Sequence, residues 1–181
     1  NRMSLLGTES AFEVLAKAKA LEAQGKDIIH LEIGEPDFET PMHIKHAATQ
    51  ALQNGYTHYV PTPGIPEVRQ SVAQNVGERR GLNVDWERVI ITPGAKPIMF
   101  FTLLALAEPG GEVIYPDPGF PIYKSMIHFC GARAVPMQLR EEREFHPDLG
   151  EFATLVNRNT QVVILNSPHN PCGSILSSEE I

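Results

Sequence analysis

Three short stretches bring together residues able to hold an anion, stack on a flat ring and offer an amide. Thr92-Pro93-Gly94-Ala95-Lys96 stands between a β-branched run and an apolar helical pattern. Small residues there let backbone N–H groups approach an anion, the helix N-terminus adds positive potential, and Lys96 can add charge. The same five residues also make an ordinary tight turn with an exposed lysine. Neither the Walker pattern nor the dinucleotide Gly-x-Gly-x-x-Gly is present. In Tyr115-Pro116-Asp117-Pro118-Gly119-Phe120 the prolines and glycine set the path of the chain and can present Phe120 to a flat ligand. Offset stacking would add roughly 0.5–1.5 kcal/mol beyond burial; a core phenylalanine at a helix start is the plainer alternative. Asn166-Ser167-Pro168-His169-Asn170-Pro171-Cys172-Gly173 holds two asparagines and two prolines in eight residues. An asparagine amide there gives a ligand both a donor and an acceptor, where a simple Asn-Pro turn would serve no ligand.

These stretches need a frame to hold them. Ser10 to Gln24 reads as a helix, with Phe12, Leu15, Ala16 and Ala18 toward one side and Gly25 after it. Ile28 to Ile33 is a short β-branched run ended by Gly34-Glu35-Pro36-Asp37. Thr40 as N-cap and Pro41 at the first helical position open a second helix, with Ile44, Ala47, Ala48, Ala51 and Leu52 along one face. A third helix has Val68, Val72 and Val76 a turn apart and Gly81 behind it. From there the chain alternates. Val89–Thr92, Glu112–Tyr115, Ala132–Met137 and Gln161–Leu165 read as strands; Lys96–Ala107, Pro121–Cys130 and Asp148–Asn157 read as helices. Such alternation predicts an α/β fold with a largely parallel sheet covered on both faces. Ligands of open α/β sheets lie beyond the carboxyl ends of the strands, which is where the three stretches fall. Ser177 to Ile181 reads as a helix start that is not completed, so the chain is expected to be part of a longer protein.

Bulk composition narrows the classes. A hydrophobic fraction of 42% supplies a core, and 20% charged residues is ordinary for a soluble protein. Net charge is −7, and Arg79-Arg80 is the only adjacent basic pair, so no nucleic-acid footprint is visible. The longest apolar stretch, Pro97 to Ala107, is too short to span a bilayer, and no membrane partner is expected. A polar N-terminus without a signal-peptide layout predicts a cytoplasmic location. Cys130 and Cys172 have no Cys or His at metal-ligand spacing and read as reduced thiols.

The three stretches in this order, with Gly34-Glu35-Pro36-Asp37-Phe38 and Tyr59-Val60-Pro61-Thr62-Pro63-Gly64-Ile65-Pro66-Glu67 ahead of them, resemble the class I/II aminotransferases of fold type I, aspartate aminotransferase-like. The likeness runs from about Leu31 onward. It implies the cofactor pyridoxal 5'-phosphate and an incomplete three-layer α/β/α large domain with a mostly parallel sheet. It further implies that residues 1–42 form an N-terminal arm and the start of the small domain, and 43–181 the first part of the large cofactor-binding domain. Gly94, Ala95 and Lys96 match the phosphate-cup loop, whose backbone amides hold the cofactor phosphate. Phe120 matches the aromatic that stacks on the pyridine ring. Asn170 matches the asparagine that bonds the ring hydroxyl oxygen and helps hold the substrate carboxylate. Tyr59 matches a tyrosine reaching across a homodimer to the partner's phosphate, and Gly34 a glycine whose backbone lies against the substrate carboxylate. Cys172 departs from the usual threonine.

The implied reaction moves an amino group between an amino acid, aspartate-like or other, and a 2-oxo acid, the pyridine ring drawing electrons as the Cα proton leaves. The lysine that joins the cofactor covalently lies well beyond Asn170 in the family. Here the lysines stand at 17, 19, 26, 45, 96 and 124. The 181 residues alone are therefore expected to be inactive. The same scaffold also carries pyridoxal-phosphate-dependent lyases and the sensor domains of transcription regulators. The latter have a helix-turn-helix ahead of this region, a pattern not seen at Asn1-Arg2-Met3.

Overall fold

The computed structural model describes residues 6–7 and 10–181; Asn1-Arg2-Met3 lies outside the described residues. Contacts divide the chain into two compact units: one holds the described residues up to Ile33 together with Ile98–Ile181, the other Gly34–Pro97.

The first unit is built on three strands, β1 (Glu112–Asp117), β2 (Arg133–Gln138) and β3 (Thr160–Val163). They run parallel in the order β2-β1-β3. Parallel neighbours need crossovers, and two helices provide them: α5 (Ile122–Cys130) from β1 to β2, and α6 (Leu149–Leu155) from β2 to β3. Central β1 is buried on both faces, its side chains alternating. Val113 and Tyr115 pack with Tyr123 and Ile127 of α5 and with Leu103 of α4 (Ala95–Leu106). Ile114 faces the other way, into Val135, Met137 and Leu139, against which Phe145, Phe152 and Leu155 pack. The expected α/β layering with a parallel sheet is thus present.

Local chemistry explains the helix ends. The Asp148 carboxylate caps α6 by accepting from Gly150 N–H (2.9 Å) and Glu151 N–H (3.0 Å). After α5 the chain turns at Gly131, whose φ of 85° suits glycine. At Ser177–Glu180 the backbone makes a turn, and the Glu180 carboxylate accepts from Ser177 N–H (2.7 Å), half of a capping box.

One acid sits under the sheet. Glu112 opens β1 at the end opposite the loops, buried, and receives the Arg133 guanidinium and the Asn157 amide (2.9 Å). Arg133, then Asn157, hold this carboxyl below the usual carboxylate range. Its stabilisation is present above the unfolded carboxylate pKa, about 4.3, and is lost as pH falls through the lower folded value. Glu112→Gln should therefore lower the urea midpoint at pH 7 and shrink the loss of stability between about pH 5 and pH 3. Parallel pH curves for the two proteins would refute the assignment.

Helix α1 (Ser10–Glu22) precedes the β-branched run Ile28–Ile33, which forms no strand. Side chains hold it instead: His30 bonds Glu32 through Nδ1 (2.6 Å) and Glu22 of α1 through Nε2 (2.9 Å). Both carboxylates raise the His30 pKa, Glu32 first.

The second unit contains α2 (Met42–Gln53), α3 (Pro66–Arg80) and a 3-10 turn, Trp86–Arg88. Four expectations change here. Helix α2 opens one residue late, with Pro41 at the N-cap rather than Thr40: Pro41 has an extended ψ of 139° and its carbonyl takes the N–H groups of Ile44 and Lys45. Its apolar stripe is not buried; Ile44 and Leu52 are exposed. In α3 the buried stripe is Arg69, Ala73 and Gly77, and Val68, Val72 and Val76 are exposed. Arg69 decides this. It donates to the carbonyls of Val89 (2.7 Å) and Glu87 (2.8 Å) and lies 4.8 Å from the centre of the Trp86 ring. Gly77 lets the chain fold back, since a Cβ there would stand 2.7 Å from the Leu82 carbonyl oxygen. Finally, Val89–Thr92 is not a strand. With the Val89 carbonyl taken by Arg69 and the Ile91 N–H by Pro63, there is no ladder for it to join.

Candidate functional site

In the first unit, the loops after β1 and β3 meet through side chains. The loop after β1 carries half-buried Phe120, whose ring meets Tyr123 edge-on at 5.9 Å and 82°. Phe120 lines a cleft of about 220 Å³ with Tyr115, Pro116, Asp117, Gly119, Pro121 and Lys124. The cleft stands at the carboxyl end of the central strand, where such sheets take their ligands. Gly119 is required, because a Cβ there would collide with the Pro116 carbonyl and press on Tyr123. Tyr123 is buried and hydrogen-bonds the side chain of Asn166, the first residue of the loop that carries Asn170. Burial pushes its phenol pKa up, and the Asn166 bond offsets part of that.

Asn170 is exposed, its amide open to a ligand, between Ser167–Pro168 and Asn170–Pro171 peptides that are both cis. Around it the loop is bonded to itself. His169 N–H reaches the Ser174 carbonyl (2.8 Å), Gly173 N–H the His169 carbonyl (2.7 Å), and Leu176 N–H the Ser167 hydroxyl (3.0 Å). Cys172 is half-buried, and burial pushes its thiol up, which suits packing rather than reactivity. Residue type alone does not mark Tyr123 or His169 as site residues. Their signal was position: one is three residues past Phe120, the other adjoins Asn170.

The second unit holds Gly34, Tyr59, Gly94, Ala95 and Lys96. Gly94 has φ of 91°, and a Cβ on it would meet nothing within 4 Å, so the loop is open above its backbone. Helix α4 starts on the next residue. The N–H groups at a helix start point out along its axis, and an anion can take them. Thr92 steadies the turn by donating its hydroxyl to the Gly94 carbonyl (2.6 Å). The Tyr59 loop is fastened just before this turn: Ile91 N–H reaches the Pro63 carbonyl (2.9 Å), and Ile91 packs over Gly64. Tyr59 itself is fully exposed, beside a groove of about 410 Å³ lined by Tyr56, Val60, Ile65, Val68 and Ile91 among others. Gly34 is exposed, and a Cβ on it would meet nothing within 4 Å. Among the described residues no cluster of His, Cys, Asp or Glu suits a metal ion, and no helix is long and apolar enough to cross a membrane.

The family model for aminotransferase class I and II matches residues 26–181. The chain belongs to that family. An aspartate aminotransferase of Pyrococcus horikoshii is 40% identical over 178 residues, 98% of this chain and 44% of the relative. An arginine–pyruvate transaminase of Pseudomonas aeruginosa is 38% identical over 92% of this chain and 42% of its own length. Among solved structures, the aspartate aminotransferase of Thermus thermophilus with maleate superposes with a TM-score of 0.93 at 37% identity, covering 99% of this chain and 47% of that one. The chain thus spans about half the length of these relatives.

Aminotransferases of this family depend on pyridoxal phosphate, and the donor chemistry here fits that group. An open glycine turn ahead of a helix offers N–H groups to a phosphate, an aromatic ring borders a cleft, and an exposed amide offers an uncharged donor.

Proposed function

We propose that this chain is the first part of a pyridoxal-phosphate-dependent aminotransferase that moves an amino group between an amino acid and a 2-oxo acid. The observation that carries the reading is the match of residues 26–181 to the class I and II family, with all three loops inside it. Within that reading the backbone amides at Gly94, Ala95 and Lys96 hold the cofactor phosphate, Phe120 stacks on its ring, and Asn170 bonds its hydroxyl oxygen. Gly34 and Asn170 border the substrate carboxylate. Tyr59 reaches the phosphate held by a second copy, which its full exposure supports, so the whole protein is a homodimer. When bound, the cofactor supplies an electron-withdrawing ring that makes the amino acid's Cα proton acidic. The covalent lysine lies in the remaining half, and the 181 residues alone are inactive. Residues 1–42 form the arm and the start of the small domain, and 43–181 the first part of the large domain. A dicarboxylic substrate is supported by the maleate in the Thermus enzyme, while the arginine–pyruvate relative keeps other amino acids open. A cytoplasmic location belongs to the same reading.

The test is Asn170→Ala in the intact protein. A hydrogen bond to a charged group contributes about 1.5–3 kcal/mol, so cofactor affinity should fall roughly 10- to 100-fold. Amino transfer from aspartate to 2-oxoglutarate, followed by coupled assay, should fall with it. Unchanged affinity would remove Asn170 from the site. Release of ammonia and a 2-oxo acid without an acceptor would make the protein a lyase instead.

A further inference from the structure

His169 is buried, only 6% exposed, beside exposed Asn170. Its Nδ1 is the acceptor for the Cys172 N–H at 3.3 Å. Accepting that bond requires a lone pair, so the proton of the neutral ring is on Nε2. That Nε2 is buried without a hydrogen-bond partner among the described residues. The ring therefore has one protonation state that suits its surroundings. Adding a proton to Nδ1 would set two N–H groups against each other and place a charge where Nε2–H has nothing to bond.

The bond at Nδ1 belongs to a closed turn. His169 N–H donates to the Ser174 carbonyl, Gly173 N–H donates to the His169 carbonyl, and Gly173 sits at φ of 80°. Cys172 N–H is the inner donor of that turn, and the imidazole is its acceptor. We propose that His169 is a positioning residue for Asn170: its neutral Nδ1 closes the 169–174 turn, and protonation opens the turn and releases the Asn170 amide from its place. Burial lowers the pKa of this ring, which favours the neutral form. The ionisable groups tied to the same segment are the Cys172 thiol, whose pKa burial raises, and the His146–Glu180 pair, bonded at 2.9 Å. The His146 end is linked to the turn through the Ser174 hydroxyl, which donates to the Phe145 carbonyl (3.0 Å).

The inference rests on the cofactor reading of Asn170 only for its consequence, so the experiment separates the two. In the intact protein without cofactor, nitrogen-15 spectra of the histidines should show His169 as the Nε2–H tautomer at pH 7. Amide exchange of peptides covering 166–176, corrected for intrinsic pH dependence, should lose at least about tenfold protection as pH falls from 6.5 to 4.5. His169→Asn keeps an acceptor oxygen near the place of Nδ1 but cannot titrate, and its protection should stay flat across that range. His169→Leu should be poorly protected at every pH while far-UV circular dichroism still reports a folded chain. His146→Asn should leave the step in place. An Nδ1–H tautomer, a flat wild-type profile, a step that persists in His169→Asn or one that vanishes in His146→Asn would each overturn the proposal. In a second arm, the dissociation constant of pyridoxal phosphate should rise about tenfold with the opening in wild type and not in His169→Asn. Opening without loss of affinity would leave the His169 turn standing and overturn the role given to Asn170.

Discussion

Ile127→Ala is expected to lower the unfolding free energy by about 2–5 kcal/mol, the range for removing a large aliphatic side chain from a core that cannot collapse around the gap. The position is chosen by packing. Ile127 has no exposed surface and lies where α5 meets the sheet, among Leu103, Val113, Tyr115, Tyr123 and Ala132. Its carbonyl also takes the Ala132 N–H (3.2 Å), so the residue closes the helix at the Gly131 turn. A cavity there cannot be filled by a neighbouring strand shift, because β1 is held on both sides by β2 and β3. Set against a typical net stability of about 5–15 kcal/mol, the loss is a large share of the total. The measurement is a urea titration of both proteins, with the midpoint falling and the slope kept. Ile29→Ala is the control: that side chain is 85% exposed, and its removal should stay within about 0.5 kcal/mol. A loss of less than about 1 kcal/mol for Ile127→Ala would mean that the helix–sheet contact is not the core of this unit.

The second large effect is on ligand affinity. Gly94→Asp should weaken pyridoxal phosphate binding to the intact protein by about two orders of magnitude, since a carboxylate several ångströms from a phosphate dianion costs a few kcal/mol in a partly exposed site. Gly94 has a φ of 91°, which side chains rarely adopt, and aspartate and asparagine tolerate positive φ better than most. There is also room for the new side chain, as nothing lies within 4 Å of the Cβ position. Gly94→Asn brings the same shape and backbone strain without the charge, and should lose no more than about tenfold. The gap between the two variants should narrow as salt is added, because the extra term is charge repulsion. Equilibrium dialysis of the cofactor at two ionic strengths gives all four values. Equal affinities for Asp and Asn would remove the anion site from this turn.

Much of this protein was legible before any coordinates. The phosphate-type turn, the proline-rich loop ahead of Phe120 and the Asn-Pro loop are local objects, made by small residues, prolines and amides within a few positions of each other. So are most helices and their ends, as at Asp148 and Gly131. The strands around Val113-Ile114-Tyr115 and Val162 were readable because β-branched and aromatic runs alternated with helical patterns. Tertiary structure decided what depends on a partner. A strand exists only beside another strand, so Val89–Thr92 became a loop once its backbone bonds went to Arg69 and Pro63. Buried faces depend on the opposing surface. Arg69, Ala73 and Gly77 displaced the valine stripe of α3 because the guanidinium found two carbonyls and an indole. Strand order β2-β1-β3 and the acid held under the sheet at Glu112 are likewise products of long-range proximity. The sequence by itself determined the family and the composition of the loops, since those are set by neighbouring residues. The fold determined which groups are dry, paired and held in place, because burial and pairing are properties of two surfaces brought together.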